Sequence, residues 1–595
     1  MKENLISILE ESTSLLGSRE ALRYKKVGDN SYGSISWEIL LNDFKKVTRA
    51  LIYLGLDYGD NIGIFSDNRP DWLIADLGII ANRSVVVPLY ATSSMQQLKY
   101  IADETKMKLI FAGNSEQYEK ALWLHENSDT LKKIVVFEQG IAPNNDYCID
   151  WLEFIKLGSG NDMESELNSR INSIKSDDLV TIIYTSGTTG DSKGAMLTHD
   201  RFLSAFRIHD KRLDVDEKDV SVCFLPLSHV FERTWTFYLL HKGATNVFID
   251  NPREVVKQLP IIKPTLMCTV PRFFEKTYEG IQLEKSKWSN IKKKIFDWSI
   301  KTGHEYSAHL SNSVKSPVGL SIRQAIADKL VLKKLRRIFG GRIRFMPCAG
   351  AAISPVLLRF FHAAGIFINY GYGATETSAT VSCFKSDRYN FDTCGTIMPD
   401  IEIKISEQGE ILIKGDTVFT GYYNKPEETQ KILIDGWYYS GDQGTVTENG
   451  ELIMTDRIKD LIKTSGGKYV SPQKIELHLG QDPFIEQVIA IGDARKFVTA
   501  LIVPSFEVLR RELGNTGLHL LDNAALVSRN EIIEFFKERI SRLQEEFTPY
   551  ERVVKFKLLS EPFTIQNGIL TNTLKVRRNI LIEKYKEDID TMYLP

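Results

Sequence analysis

Apolar and polar positions follow one rhythm between about residues 35 and 400: a short apolar run, a turn rich in Gly, Asn or Asp, then a helical stretch. Residues 61–66 (NIGIFS) read as a buried strand, Arg69 to Ala81 as an amphipathic helix, and residues 84–90 (SVVVPLY) as the next strand. Residues 342–350 read as strand then turn. Ser354-Pro355 then opens a helix, Ser at the N-cap and Pro in its first turn, and the helix runs to Gly365 before a strand at 366–370. Strands alternating with helices predict largely parallel sheets covered on both faces, with ligands at the carboxyl ends of the strands.

The rhythm changes near residue 400. Ile401, Ile403 and Ile405 alternate, Glu407-Gln408-Gly409 turns the chain, and Ile411 and Ile413 alternate back. A second hairpin turns at Asn449-Gly450, a strong two-residue turn signal. This predicts a small antiparallel module. Beyond Asp456 comes a Lys/Gly-rich stretch and then a mixed segment to the C-terminus, so a boundary is expected near 457–460, dividing the chain into 1–456 and 457–595.

Composition removes several function classes. Of 595 residues, 43% are hydrophobic and 26% charged, which is globular rather than disordered or fibrous. With 75 basic and 77 acidic residues the net charge is −2, so no global field draws the chain to nucleic acid. The 6 cysteines form no C-x-x-C pair and read as reduced thiols of a cytoplasmic protein. Glu3, Glu10 and Glu11 interrupt the apolar stretch that a signal peptide needs. No window reaches the roughly 18 apolar residues of a membrane span; the nearest, Leu77 to Tyr90, is broken by Asn82-Arg83. A soluble protein is expected, peripheral to a membrane at most.

One segment differs in charge. Residues 284–344 hold 15 Lys/Arg against 4 Asp/Glu, and include Trp288 and Trp298 around a lysine run. Two readings stand: a basic amphipathic surface for anionic lipid, or a solvated helical face.

The most informative stretch for chemistry is 184–199, YTSGTTGDSKGAMLTH, which follows the apolar strand LVTIIY. Thr185, Ser186, Gly187, Thr188, Thr189, Gly190 and Lys193 bring together backbone N–H groups, hydroxyls and a cation, as a phosphate cradle requires. The Gly-to-Lys spacing is not that of a Walker A loop.

With this loop the sequence resembles the adenylate-forming superfamily of acyl-CoA synthetases, luciferases and peptide-synthetase adenylation domains. GYGATETS (371–378), YSGDQG (439–444), DRIKDLIKTSGGKYVSP (456–472) and TNTLKVRR (571–578) follow in that family's order. The resemblance implies an α/β fold: a large N-terminal domain of two α/β subdomains and a small β-module, then a small mobile α+β C-terminal domain. It also implies ATP, Mg²⁺ and coenzyme A, and assigns residues. The 185–193 loop would embrace the β/γ-phosphates. Thr375 would touch the α-phosphate, and Glu376, with Thr185, would hold Mg²⁺. Asp442 would accept two ribose hydroxyls with Arg457 as its donor companion. Tyr372, with Tyr370 and Gly371 leading into it, would lie against adenine, with Gly350, Ala351 and Ala352 on the other side.

Lys575 matches the family's C-terminal catalytic lysine, a flexible point charge between ribose and the reacting carboxylate. Arg577 and Arg578 beside it read as surface charge. Lys459 occupies the hinge position, and Ser465, Gly466 and Gly467 would form the wall along which pantetheine enters.

PLSHVFERT (226–234) resembles the motif of long-chain fatty acyl-CoA synthetases. His229 would either orient near the acyl carboxylate or be a structural histidine satisfied by backbone. Phe231, Trp235, Phe237 and Cys348 are candidates for lining an alkyl tunnel. The expectation is a cytoplasmic long-chain fatty acid–CoA ligase. The alternatives are a medium-chain or aryl acid ligase, or a non-catalytic lipid- or nucleotide-binding member of the same fold.

Overall fold

The structure is a computed structural model. It describes residues 4–594 except 27–30, 142, 161–162, 186–191, 250, 313, 387, 515 and 572–574. Its largest sheet has seven strands, in the order Cys148–Asp150, Lys133–Val136, Leu109–Ala112, Asn61–Phe65, Val85–Leu89, Leu179–Thr185 and Lys193–Thr198. All neighbours are parallel except the last pair. A second sheet joins Val220–Cys223, Thr245–Phe248 and Glu20–Lys25 in parallel and adds Tyr32–Ser36 antiparallel. A third pairs Met346–Cys348 with Ile368–Tyr372 in parallel. The alternating rhythm therefore produced the mixed, mainly parallel sheets it predicted.

The helix Pro70–Ala81 is not amphipathic. Every residue but Asp71 is buried, because the helix packs in the main apolar core rather than against solvent. Apolar residues all round the axis are the mark of a fully buried helix. One of its buried residues is charged: Asp76 is fully buried and pairs bidentately with the equally buried Arg233 of the helix Val230–Lys242, Nη2–Oδ1 at 2.5 Å and Nε–Oδ2 at 2.9 Å.

The antiparallel module follows the sequence closely. Glu402–Ile405 pairs with Glu410–Lys414, and Trp437–Val446 with Leu452–Arg457 around Gly450, whose φ of +72° suits glycine. Beyond it, Ile485–Ile491, Val498–Pro504 and Val553–Leu558 form a three-stranded sheet. Apolar clusters covering this sheet draw only on residues 462–593, whereas those of the earlier sheets end at Met454. Among the described residues no helix is long and apolar enough to cross a membrane.

Candidate active site

A cleft of about 990 Å³ opens at the carboxyl ends of Leu179–Thr185 and Ile368–Tyr372, and Lys459, Asp460, Gln473, Glu476, Lys575, Val576 and Arg578 contribute to its lining. Thr185, Lys193, His229, Gly350, Ala351, Ala352, Tyr370, Gly371, Tyr372, Thr375, Glu376, Asp442, Arg457 and Lys575 all line it. Positions up to 390 residues apart in sequence are thus gathered in one space. Ser186, Gly187, Thr188, Thr189 and Gly190 lie outside the described residues.

One wall is built by the strand Ile368–Tyr372 and the turn after it. Gly373 is required there, since a Cβ would fall 1.3 Å from the Ala379 carbonyl oxygen. Tyr372 Oη donates to Asp442 Oδ2 at 2.5 Å, with both side chains buried. Asp442 pairs with Arg457 across the Trp437–Val446 hairpin, Nε lying 3.3 Å from Oδ1. That contact lacks hydrogen-bond alignment, so Oδ1 is a buried acceptor without a donor among the described residues. A buried orphan acceptor is costly unless a ligand hydroxyl or amide completes it. Burial alone would weaken the Arg457 cation, but the Asp442, Asp460 and Glu376 carboxylates outweigh it and keep its pKa above the ordinary arginine value.

Thr375 and Glu376 sit in a single 3₁₀ turn, Thr375–Thr377, and both are buried. Tyr422 Oη donates to Glu376 Oε1 at 2.7 Å, and the Phe419 amide donates to the Glu376 carbonyl at 2.8 Å. The carboxylate is held from one side with Oε2 left for another partner. Among the described residues no group of three or more His, Cys, Asp or Glu could hold a metal ion. A hard cation that keeps water and phosphate oxygens as ligands needs no such group, and one positioned carboxylate suffices. Thr185, at the strand end, donates its hydroxyl to the Lys193 carbonyl at 3.4 Å.

Lys193 faces Glu428, Nζ to Oε2 at 2.5 Å, and lies 5.3 Å from the Tyr422 ring centre. Sequence reading missed Tyr422, Lys425 and Glu428, which also line the cleft. Their signal is the stretch TGYYNKPEET, a turn that crowds aromatic and charged residues immediately before a Pro-initiated helix.

Lys575 is tied to Thr571: the Thr571 amide donates to the Lys575 carbonyl at 2.8 Å, and the Lys575 amide to Thr571 Oγ1 at 3.1 Å. Much of its side chain meets solvent inside the cleft, yet protein surrounds it. That crowding lowers its pKa first, and the Arg457 cation lowers it further, against partial support from Asp442 and Glu376. Arg578, expected at the surface, instead lines the cleft and pairs with Glu476 at 2.6 Å. Its partner is 102 residues away, so no local pattern announces it. Ser465, Gly466 and Gly467 are not brought to the cleft; they are exposed on the turn between Ile462–Lys463 and Tyr469–Val470.

His229 caps the helix Val230–Lys242, its Nδ1 accepting the Phe231 amide at 3.2 Å. One ring nitrogen thus serves the backbone, as the structural reading of this histidine expected, and the residue also lines the cleft. Desolvation, and then the Lys575 ammonium, push its pKa down to about 4. At neutral pH it is uncharged, with its proton on Nε2. The helix behind it is fixed by the buried Asp76–Arg233 pair, with Arg233 also donating to Thr181 at 2.6 Å.

A narrow apolar cavity of about 40 Å³ adjoins the cleft and shares Phe231, Ala349, Gly371, Tyr372 and Ala379 with it. Trp235 and Cys348 line it as anticipated. Phe237 does not: it is buried in the core, edge-on to Phe202. The Trp235 indole is held in place by its donation to Ser221 at 3.0 Å.

Such a cleft, with carboxylates and cations converging on it and Lys575 at its wall, is the architecture of an enzyme that handles an anionic nucleotide. The chain belongs to the AMP-binding enzyme family: residues 9–423 match that family, and residues 459–594 match the AMP-binding enzyme C-terminal domain. It is 31% identical over 580 residues to a long-chain-fatty-acid–CoA ligase of Mycobacterium bovis, covering 96% of this chain and 94% of that one. The adenylation domain of a Mycobacterium chelonae carboxylate reductase superposes with a TM-score of 0.74 at 22% identity, covering 99% of this chain and 91% of that one. The o-succinylbenzoate coenzyme A synthetase of Bacillus subtilis, in complex with ATP and magnesium, superposes with a TM-score of 0.68 at 19% identity, covering 96% and 98%.

Proposed function

We propose that the protein is an AMP-forming long-chain fatty acid–CoA ligase. The observation that carries this reading is the convergence of Lys575, Glu376 and Asp442 on one cleft from which an apolar cavity leads away. The near-full-length similarity to a curated long-chain ligase supports the acyl class. In the first half-reaction a carboxylate oxygen attacks the α-phosphorus of ATP, the Pα–O bond to pyrophosphate breaks, and acyl-AMP forms. In the second, the thiol of coenzyme A attacks the acyl carbon and AMP leaves.

This chain's residues then have separate tasks. Asp442 Oδ1 accepts from the ribose, completing its unfilled hydrogen bond. Lys193 and the loop before it take the β/γ-phosphates, for which Lys193 must exchange its Glu428 partner. Thr375 lies at the α-phosphate. Lys575 offsets charge that develops between the carboxylate and the α-phosphate, a differential stabilisation that accelerates the step. His229 presents a neutral Nε2–H donor to the acyl carboxylate. Glu376, and Thr185 beside the loop, would hold Mg²⁺, which when bound supplies positive charge to the phosphate oxygens.

The reading divides the chain into 1–456 and 457–595, with Lys459 as hinge. Rotation about it brings the exposed Ser465–Gly467 turn to the cleft as the coenzyme A wall. The cell compartment is the cytoplasm, next to a membrane in which the substrate partitions. A medium-chain or aryl acid ligase is the second reading, favoured by the small size of the apolar cavity. Incubation with palmitate, ATP, magnesium and coenzyme A, followed by mass detection of palmitoyl-CoA and AMP, tests the proposal. Formation of neither product rejects it.

A further inference from the structure

The basic segment carries a second pattern that its charge alone does not reveal. It folds as the helix Asn290–Ser311, a connection, and a continuous helical run Val318–Ala327, Asp328–Leu332 and Lys333–Ile338. On the second helix Val318, Ile322, Ile326 and Leu330 recur at every fourth position, and all are exposed, by 78%, 58%, 49% and 44%. At a spacing of four, side chains form one ridge along a helix. Leu310 and Val314 extend the exposed apolar surface through the connection. Among the described residues, 9 of the 26 exposed large apolar side chains fall within residues 291–330. A soluble helix buries its apolar stripe, so a ridge turned to solvent marks an interaction surface.

Cations border the ridge. Lys315, Lys329, Lys333 and Lys334 are exposed and make no ion pair among the described residues. The segment 284–344 carries a net +11, against −13 for the rest of the chain. The segment is also firmly seated. Gly303 of the first helix approaches the helix Pro355–Ala363 so closely that a Cβ would stand 2.2 Å from the Ala363 carbonyl oxygen. That helix begins just after the Gly350–Ala352 turn that lines the cleft.

We propose that the ridge Val318–Leu330, with its flanking lysines, docks the protein on the interface of an anionic lipid bilayer. Charge selects this occupant. A second copy of the chain meeting this face about a two-fold axis would oppose two cationic surfaces, which like-charge repulsion disfavours. An anionic bilayer offers both an apolar layer for the ridge and negative headgroups for the lysines. The inference rests on this surface, and takes from the ligase reading only the reason for being at a membrane.

The test is flotation of the full-length protein with vesicles of phosphatidylcholine, alone or with about one third phosphatidylglycerol. Binding is expected only with the anionic lipid and should fall at high salt. Lys333→Ala/Lys334→Ala should weaken partitioning about thirtyfold, and Ile322→Ser/Ile326→Ser should weaken it in low salt as well. Both variants should keep the wild-type circular dichroism and the wild-type rate with a soluble medium-chain acid. Equal binding to neutral vesicles, no binding, or variants that bind as wild type would overturn the proposal. So would a dimer in sedimentation that the Ile322→Ser/Ile326→Ser variant converts to a monomer. Turnover on the soluble acid is read separately, so loss of docking and failure of the ligase reading give different results.

Discussion

Tyr422 donates its hydroxyl to Glu376 across 2.7 Å, and both side chains are buried, so one oxygen of a carboxylate that lines the cleft is fixed. Tyr422→Phe removes that donor without altering the ring. A hydrogen bond to a charged group contributes about 1.5–3 kcal/mol, so half-saturation by magnesium should need about tenfold more metal. The KM for the fatty acid should change little. A magnesium titration of pyrophosphate release checks this, and an unchanged curve would remove Glu376 from the metal site.

Lys575, held by Thr571, lines the cleft far in sequence from the residues it faces. Lys575→Ala should slow adenylation by about 10²–10³-fold, the scale of losing one charge-stabilising donor. Thioester formation from pre-made acyl-AMP should survive. Stopped-flow measurement of the separate half-reactions distinguishes this from a structural role, in which both would fall together.

The same lysine predicts a pH dependence. Crowding by the surrounding protein, and then Arg457, lower its pKa, so its charge is complete at low pH and is lost as pH rises through that lowered value. Adenylation kcat/KM should therefore decline with an alkaline limb below about 10.4, the ordinary lysine value. Lys575→Arg should move that limb out of range. His229, with a pKa of about 4, is neutral throughout and contributes no acidic limb near neutrality.

The fully buried pair Asp76–Arg233 anchors the helix that His229 caps. Arg233→Met strands a buried carboxylate and should cost about 3–5 kcal/mol. Asp76→Leu combined with Arg233→Met should recover most of that loss. Urea unfolding midpoints of the two variants check the order. A double variant as unstable as the single one would show that the pair itself is needed.

The parts of this molecule legible in sequence are those set by local chemistry. Asn449-Gly450 announced its hairpin because the turn needs a positive φ, which Gly450 adopts. Ser354 announced its helix because its hydroxyl accepts the Val356 amide. The cleft residues were found through family motifs, and the structure brings the described ones together, except Ser465–Gly467. What local reading missed depends on tertiary placement. Pro70–Ala81 looked two-faced until packing covered both faces. Arg578 looked exposed until the fold brought Glu476 to it. Phe237, two residues from Trp235, packs edge-on to Phe202 instead of lining the small apolar cavity.

The central claim is activation of a long-chain carboxylate for transfer to coenzyme A. The most direct measurement is pyrophosphate release with ATP and magnesium across unbranched acids from acetate to stearate, with and without coenzyme A. The account predicts a maximum between laurate and stearate, with AMP formation that depends on coenzyme A. A maximum at acetate or at aromatic acids, or pyrophosphate release with no thioester when coenzyme A is present, would contradict it.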